Sequence, residues 1–575
     1  MKSWLRFFYL CLLKIFCAGQ TGYGQVPIPP PVFPFCATPD LPPAQALDLI
    51  RQGQQAYQQK IASTGAFQNV TYVPMRPHIL RRSNGSGGIS LNLMNQVIAQ
   101  TNRYFLLNGA GIQFFFAGIS PDYIDNDQQY NSFDNENAVA NGRDATNAMN
   151  QYYVNSFASG VGGYAYYPFN SLQSTRSFIL NEYDAEDMGN RLIPHELGHN
   201  FNLVHTFGQR FDTGTVGSGT TLELVTRGGG ANCLYEGDFI CDTPADPYNK
   251  PGASLTYVNG CPIYNPASTA RDANGDAYAP LVTNIMSYYF PCTHDFTPCQ
   301  YDRMQQALAL RQGHTSYTLN APPTNAPAPG NLVGNFTNGN IVLTWQDNAS
   351  NEMGYFIERS TSSGTGFLPI GGVGPNGTTF TDTKVTPGTT YYYRIRPSNS
   401  TNGNLSQTIT VQPCPVPALS LNSYRSSSVL VSWNVSVYGS NNTYTLRYRI
   451  VGTPNWTIVS SLTMTGSIGS YRLTSLTPDV QYEAQIRTIC SATESSIFSP
   501  SVPFNTCSQM YTLRAGNWAD VSLWSCNRLP NSTDIVQIKH QVQVPSGYTI
   551  SAGMVRFDAG QKLIFQSGVK LLLGQ

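Results

Sequence analysis

The stretch Ile193-Pro194-His195-Glu196-Leu197-Gly198-His199-Asn200-Phe201-Asn202-Leu203-Val204-His205 decides how the chain is read. Three of its seven histidines fall within these eleven residues from His195 to His205, and a glutamate directly follows the first. Four residues apart on a helix, His195 and His199 sit one turn above each other, so both imidazoles can reach one ion. That leaves Glu196 beside the metal, placed to take a proton from a zinc-bound water and pass it to a leaving amine. His205, six beyond His199, is off-register for that face. The helix must therefore end near Asn202 and the chain turn back before His205 can become a third ligand. Asparagine best tolerates the left-handed backbone such a stop requires among non-glycine residues. A helix carrying ordinary core histidines is the bland alternative, and the third histidine with its helix-ending residue speaks for the metal.

The run resembles the metzincin zinc-peptidase signature H-E-x-x-H-x-x-G-x-x-H, with Asn202 standing where the family has glycine. A downstream Asn284-Ile285-Met286-Ser287-Tyr288-Tyr289 looks like the family's Met-turn. The resemblance implies that Met286 lies beneath the zinc as an apolar floor and that Tyr288 steadies the oxyanion. Further segments, Asn232-Cys233, Gly237-Asp238-Phe239-Ile240-Cys241-Asp242-Thr243-Pro244-Ala245-Asp246, Cys292, Phe296-Thr297, Gln300 and Arg303-Met304, are similar to the pappalysin (cytophagalysin) family over roughly residues 66–318. That family implies an α+β catalytic domain and hydrolysis of peptide bonds in a protein substrate. It also makes a calcium site plausible in the loop carrying Asp238, Asp242, Thr243 and Asp246, which offer hard oxygen ligands. It implies disulfides Cys233–Cys261 and Cys241–Cys292. Asp272-Ala273-Asn274-Gly275-Asp276 is a second calcium candidate, but a plain turn serves as well.

At 575 residues the chain is too long for one core. Lys+Arg and Asp+Glu both number 33, so net charge gives no pull toward nucleic acid. Only 11% of residues are charged, which suits β-rich extracellular modules. Lys2 and Arg6 precede an apolar stretch too short to span a bilayer, and residues 1–25 are expected to be a signal peptide. No later run is long and apolar enough to cross a membrane, so the expected product is secreted. Of the twelve cysteines, five at 233, 241, 261, 292 and 299 surround the protease half. They lack C-x-x-C pairs, which favours disulfides over a second zinc site. Cys36, in the proline-rich start of a pro-segment or N-terminal arm over 26–65, is a candidate thiolate for the open metal position. A disulfide, for which Cys299 is the candidate partner, is the other reading.

Residues 66–318 are expected to hold strands and helices around the zinc helix, with Gly163 to Pro168 as the edge strand that receives peptide. Residues 319–329, with four prolines, look like a stiff linker. Trp345 and Trp433 each lie in an apolar strand. Thr386 precedes Tyr391 by the same step as Thr477 precedes Tyr482. This recurrence signals tandem sandwiches at 330–413 and 414–507 that resemble fibronectin type III domains, suited to spacing or to an extracellular matrix or surface ligand. A β-rich C-terminal module at 508–575 resembles a solenoid opening. The expected function is a secreted zinc endopeptidase. Its rivals are a non-catalytic adhesion protein with a degenerate protease domain and a different zinc hydrolase.

Overall fold

The computed structural model describes residues 36–38, 41–64, 70–106, 111–181, 187–208, 222–425, 427–434, 442–464, 467–491, 494–506, 509–526 and 528–574. The expected leader, 1–25, lies outside them. The chain divides into two compact units: residues 1–332, 344–380 and 392–409, and residues 333–343, 381–391 and 410–575.

The first unit is built on a sheet in the order β2-β1-β4-β6-β5. Its strands are β1 (Thr71–Arg81), β2 (Ile112–Phe116), β4 (Met149–Val154), β5 (Gly163–Ala165) and β6 (Arg176–Leu180), with β3 (Asp122–Asp125) also paired to β1. All pairings are parallel except that of β5, which runs antiparallel to β6 and forms an edge. Strand β4 is buried along its whole length, as a strand covered on both faces must be. Helix α1 (Pro43–Thr64) precedes the sheet. Helix α2 (Leu91–Leu106) buries Met94, Val97, Ile98, Thr101 and Phe105, a helical stripe, against the core. A π-helical turn, Met188–Leu192, feeds helix α3 (Ile193–Asn200), which carries His195 and His199. Helix α4 (Pro298–Gln312) closes this part, capped by reciprocal bonds between Thr297 and Gln300. One core joins Met75, Phe114 and Ile179 of the sheet to Leu197 of α3, Met286, Leu308 of α4, and also Met353 and Phe356.

Those last two residues belong to the first β-domain, whose sheet β12-β11-β14-β15 falls in the same unit apart from Tyr391 and residues 410–411. After a small hairpin, β7 (Leu255–Val258) and β8 (Cys261–Tyr264), this domain holds β9 (Gly330–Thr337), β10 (Asn340–Gln346), β11 (Tyr355–Ser360), β12 (Leu368–Val373), β13 (Thr379–Asp382), β14 (Tyr391–Pro397) and β15 (Ile409–Val411). Strand β12 packs on α2 so closely that a Cβ on Gly372 would meet the Asn95 carbonyl oxygen at 2.4 Å. Asn95 Nδ2 donates to the Met353 carbonyl at 2.8 Å. Arg396, buried against Glu358, donates to Gln113 Oε1 of β2 at 2.6 Å. Segment 319–329 is held as well, since Ala321 N donates to Asn147 O at 3.0 Å and Thr324 N to Asn399 O at 2.8 Å. The proline-bearing stretch is thus anchored to the α/β part of the unit at one end and to the β-domain at the other.

The second unit contains strands β16 (Leu419–Arg425), β17 (Ser428–Asn434), β18 (Asn442–Ile450), β19 (Thr457–Met464), β20 (Ile468–Leu473), β21 (Gln481–Ile489) and β22 (Val502–Asn505). They form sheets β16-β17-β20 and β19-β18-β21-β22 over a core centred on Trp433, Tyr444 and Ile486. The Tyr482 hydroxyl accepts from Thr477 N at 3.0 Å, and the Tyr391 hydroxyl from Thr386 N at 2.9 Å. That repeated contact is the physical content of the repeated spacing. A disulfide joins Cys414 to Cys490. Beyond residue 509, short strands pair in parallel, β25 (Ile535–Ile538) with β28 (Met554–Phe557) and β27 (Thr549–Ala552) with β30 (Lys570–Leu573), in solenoid fashion.

The disulfides of residues 233–292 correct an expectation. Cys233 pairs with Cys241 and Cys261 with Cys292, not Cys233 with Cys261 and Cys241 with Cys292. Left-handed backbone at Gly237 and Phe239 folds 233–241 onto itself, bringing its cysteine Cα atoms to 5.1 Å. Strand β8 then sets Cys261 5.4 Å from Cys292. Both separations fall where a bridge closes without moving the backbone.

Candidate metal centre and active site

Helix α3 ends where Leu203 N bonds back to Gly198 O at 2.9 Å and Asn202 takes a φ of 66°. The chain reverses there and returns His205 to the first two histidines. His205 Nε2 lies 3.3 Å from His195 Nε2 and 3.2 Å from His199 Nε2. Each helical imidazole is oriented through its other nitrogen, His195 Nδ1 on the Ile285 carbonyl at 2.7 Å and His199 Nδ1 on the Leu203 carbonyl at 2.8 Å. That arrangement leaves the Nε2 atoms as ligands. Burial, first of all, holds both rings well below the ordinary histidine pKa, so they are neutral donors.

Cys36 is the fourth member of the cluster, its Sγ 3.5 Å from His199 Nε2 and 3.3 Å from Glu196 Oε2. The four possible ligand atoms lie within 4.8 Å of one another, and all four residues are buried. A tetrahedral zinc with Zn–N of about 2.1 Å and Zn–S of about 2.3 Å sets its ligands roughly 3.4–3.6 Å apart. The donor set and its spacing fit zinc. Burial pushes the Cys36 thiol pKa well up, and the Glu196 charge adds to it. Glu196 itself is raised to about 8 by burial, and its Oε1 has no hydrogen-bond partner among the described residues.

Met286 passes directly under the helix, where a Cβ on Gly198 would meet its Sδ at 2.5 Å. Gly198 is therefore a site residue that the ligand pattern did not flag, although it sits inside it. Thr206 N donates to the Met286 carbonyl at 3.1 Å, tying this turn to the residue after His205. The Tyr288 ring lies 4.8 Å from that of His205, and its hydroxyl donates to the Cys36 carbonyl at 3.0 Å.

Two other residues take roles that the motifs did not assign, Thr38 and also Asp246, which was expected as an oxygen ligand of the calcium loop. Thr38 is buried, donates to Glu196 Oε2 at 3.2 Å and accepts from Ala165 N at 2.9 Å. Asp246 accepts from Thr206 Oγ1 at 2.6 Å, Tyr289 OH at 2.5 Å and Tyr248 N at 3.0 Å. It thereby clamps the neighbours of His205 and Tyr288 to one carboxylate, and burial raises it to about 6.

The expected calcium residues are only partly together. Thr243 Oγ1 donates to Asp238 Oδ1 at 2.8 Å. Asp242 instead accepts from Thr297 Oγ1 at 2.7 Å and Cys299 N at 2.9 Å at the start of α4. The second carboxylate beside Asp238 is Glu223, and burial first, then Asp238, pushes its pKa up. Asp238 Oδ2 is buried with no hydrogen-bond partner among the described residues. At 272–276, Asp272 accepts backbone N–H groups of Val225, Asn274 and Asp276, the bonding of a turn.

This geometry gathers three histidines and a thiol that could hold a metal ion, with the Glu196 carboxylate beside them. Residues 415–505 match the family model for the fibronectin type III domain. A curated relative from Pyricularia oryzae, an extracellular metalloprotease, is 29% identical over 174 residues, covering 28% of this chain and 48% of its own. Another from Colletotrichum graminicola, also an extracellular metalloprotease, is 28% identical over 172 residues, covering 27% and 48%. The chain spans about half the length of these relatives. Among solved structures, three fibronectin domains of chicken CNTN1 share 20% identity, covering 33% of this chain and 70% of that one with a TM-score of 0.19. Two such domains of chicken tenascin share 20%, covering 31% and 99%, with a TM-score of 0.18. Among the described residues no helix is long and apolar enough to cross a membrane.

Proposed function

We propose that the chain is a secreted zinc-dependent endopeptidase of the metzincin type, pappalysin-like, held latent by its N-terminal arm. The observation that carries this reading is the convergence of three imidazole Nε2 atoms, 3.2–3.3 Å from His205 to each partner, beside the Glu196 carboxylate. His195, His199 and His205 would hold the ion. Zinc in that setting supplies a water of lowered pKa and a Lewis acid for the scissile carbonyl. Glu196 takes the proton of the attacking water and returns it to the departing amine. Tyr288, once its hydroxyl is released from the Cys36 carbonyl, would donate to the developing oxyanion.

Substrate would add to the edge strand β5. Gly163 keeps that approach open, since a Cβ there would sit 3.0 Å from Glu196 Oε1. By resemblance to metzincins, bound peptide runs antiparallel to this strand. The N-terminal arm passes it in parallel, with Cys36 bridged to Gly163 and Ala37 N donating to Gly163 O at 2.8 Å. Its direction is reversed, so the arm fills the cleft without offering a bond in the orientation for cleavage. Cys36 takes the water's place and Thr38 occupies the base. Asp238, Thr243 and Glu223 are the proposed calcium ligands, the last replacing Asp242.

Replacing Glu196→Gln is expected to leave the zinc content unchanged and lower casein digestion by roughly 10²–10⁴-fold. Retained digestion would reject the assignment. Casein left intact by the activated parent chain would favour an adhesion protein or another zinc hydrolase.

A further inference from the structure

The outward face of β18 and β21 in the second unit carries an unusual stack. Arg449 lies 4.2 Å from the Trp456 ring centroid, and Arg447 lies 4.3 Å from the same ring. Arg447 is also 3.7 Å from the Phe498 centroid, and Arg487 is 4.8 Å from it. The order is guanidinium, ring, guanidinium, ring, guanidinium, running across two neighbouring strands. Counter-charge is sparse. On the outward positions of β18 and β21 the acidic side chain is Glu483, which pairs with Arg449 at 2.7 Å. Arg447 donates to the neutral Gln485 Oε1 at 2.8 Å through Nε. Arg487 Nε meets no hydrogen-bond acceptor among the described residues. Burial, then the like charges of Arg449 and Arg487, hold the Arg447 pKa below its ordinary value, with Glu483 only partly opposing them.

Stacking fixes each guanidinium plane while leaving N–H edges for planar oxyanions, which arginine takes in bidentate fashion. Three cations in a row match a chain of anions better than a single one. Each ring already carries two guanidiniums, so the face has no vacant aromatic platform on which bases could stack. We propose that this face binds an anionic polysaccharide, with Arg449, Arg447 and Arg487 receiving its sulfate or carboxylate groups. This site is independent of the proteolytic reading.

The full-length chain is titrated with a fluorescent heparin octasaccharide, a polygalacturonate oligosaccharide and neutral dextran at low ionic strength. Binding of at least one anionic probe is expected, weakening as salt is raised, with none to dextran. The R447Q/R487Q variant is expected to bind roughly tenfold more weakly, about 1.4 kcal/mol. R472Q, which removes a charge from β20 in the other sheet, is expected to stay within about twofold of the parent. If the double variant melts early, R487Q at the end of the stack decides, with an expected loss of roughly threefold. Failure of both anionic probes to bind, equal binding by parent and arginine variants, or capture by phosphatidylglycerol vesicles without oligosaccharide binding would overturn the proposal.

Discussion

At the residue scale, the centre depends on small choices around three ligands. His195, Glu196, His199 and the reversal at Asn202 were legible because helical periodicity and backbone preference constrain them locally. Gly198, Thr38 and the clamping role of Asp246 were not, since each acts through a partner distant in sequence: Met286 for Gly198, Glu196 for Thr38, and Thr206 with Tyr289 for Asp246. Glu223 was hidden for the same reason, its partner Asp238 being folded onto it by a glycine turn. The thiol of Cys36 gives a direct test. Cys36→Ser is expected to raise the activity of the unprocessed chain by roughly tenfold or more, because a serine hydroxyl stays protonated and ligates zinc poorly. An unprocessed C36S chain as silent as its parent would remove the latency role.

The proposed calcium residues make a pH-dependent statement. Burial raises Glu223 from 4.5 to about 9 and Asp238 from 3.8 to about 7. Groups whose folded pKa is raised stabilise the fold while protonated, and that contribution is lost as pH climbs through the folded values. Without a cation, stability is therefore expected to fall between about pH 4 and 9 from these two groups. Calcium would compete with the protons. Millimolar calcium is expected to raise the melting temperature at pH 8.5 and to do little at pH 5, with a gain of about 2.7 kcal/mol when calcium stands at a hundred times its Kd. An equal or absent shift at both values would dismiss the site.

At the element scale, α2, β2 and the tryptophan strands of both β-domains were readable from apolar runs. The short β3 and β7–β8 were not, because tertiary pairing rather than their own pattern makes them strands. The contact between α2 and β12 was equally invisible. Gly372 and Gly354 read as loop-like residues, yet each has α2's Asn95 within 2.5 Å of where a Cβ would stand. Removing a buried cation here should tell. Arg396→Met leaves the fully buried Glu358 with Arg394 alone, and is expected to cost about 3 kcal/mol by denaturant melting. A loss within the usual half kcal/mol of a surface change would show that the contact is incidental.

At the scale of the whole molecule, the tandem tryptophans and tyrosines announced β-domains but suggested separate spacing or adhesion modules after a linker. The first such domain instead shares a core with the metal helix through Met353, Phe356 and α2. Pattern in one segment cannot report which face another segment will cover, so the boundary at 319–329 looked more open than it is. The central claim remains that one cation gathers His195, His199 and His205. Zinc-edge X-ray absorption on the purified full chain tests it most directly. The account expects about one zinc per chain, with three nitrogen neighbours at about 2.0–2.1 Å and, before activation, one sulfur at about 2.3 Å. A chain without stoichiometric zinc, or with an all-oxygen shell unchanged by His205→Ala, would contradict it.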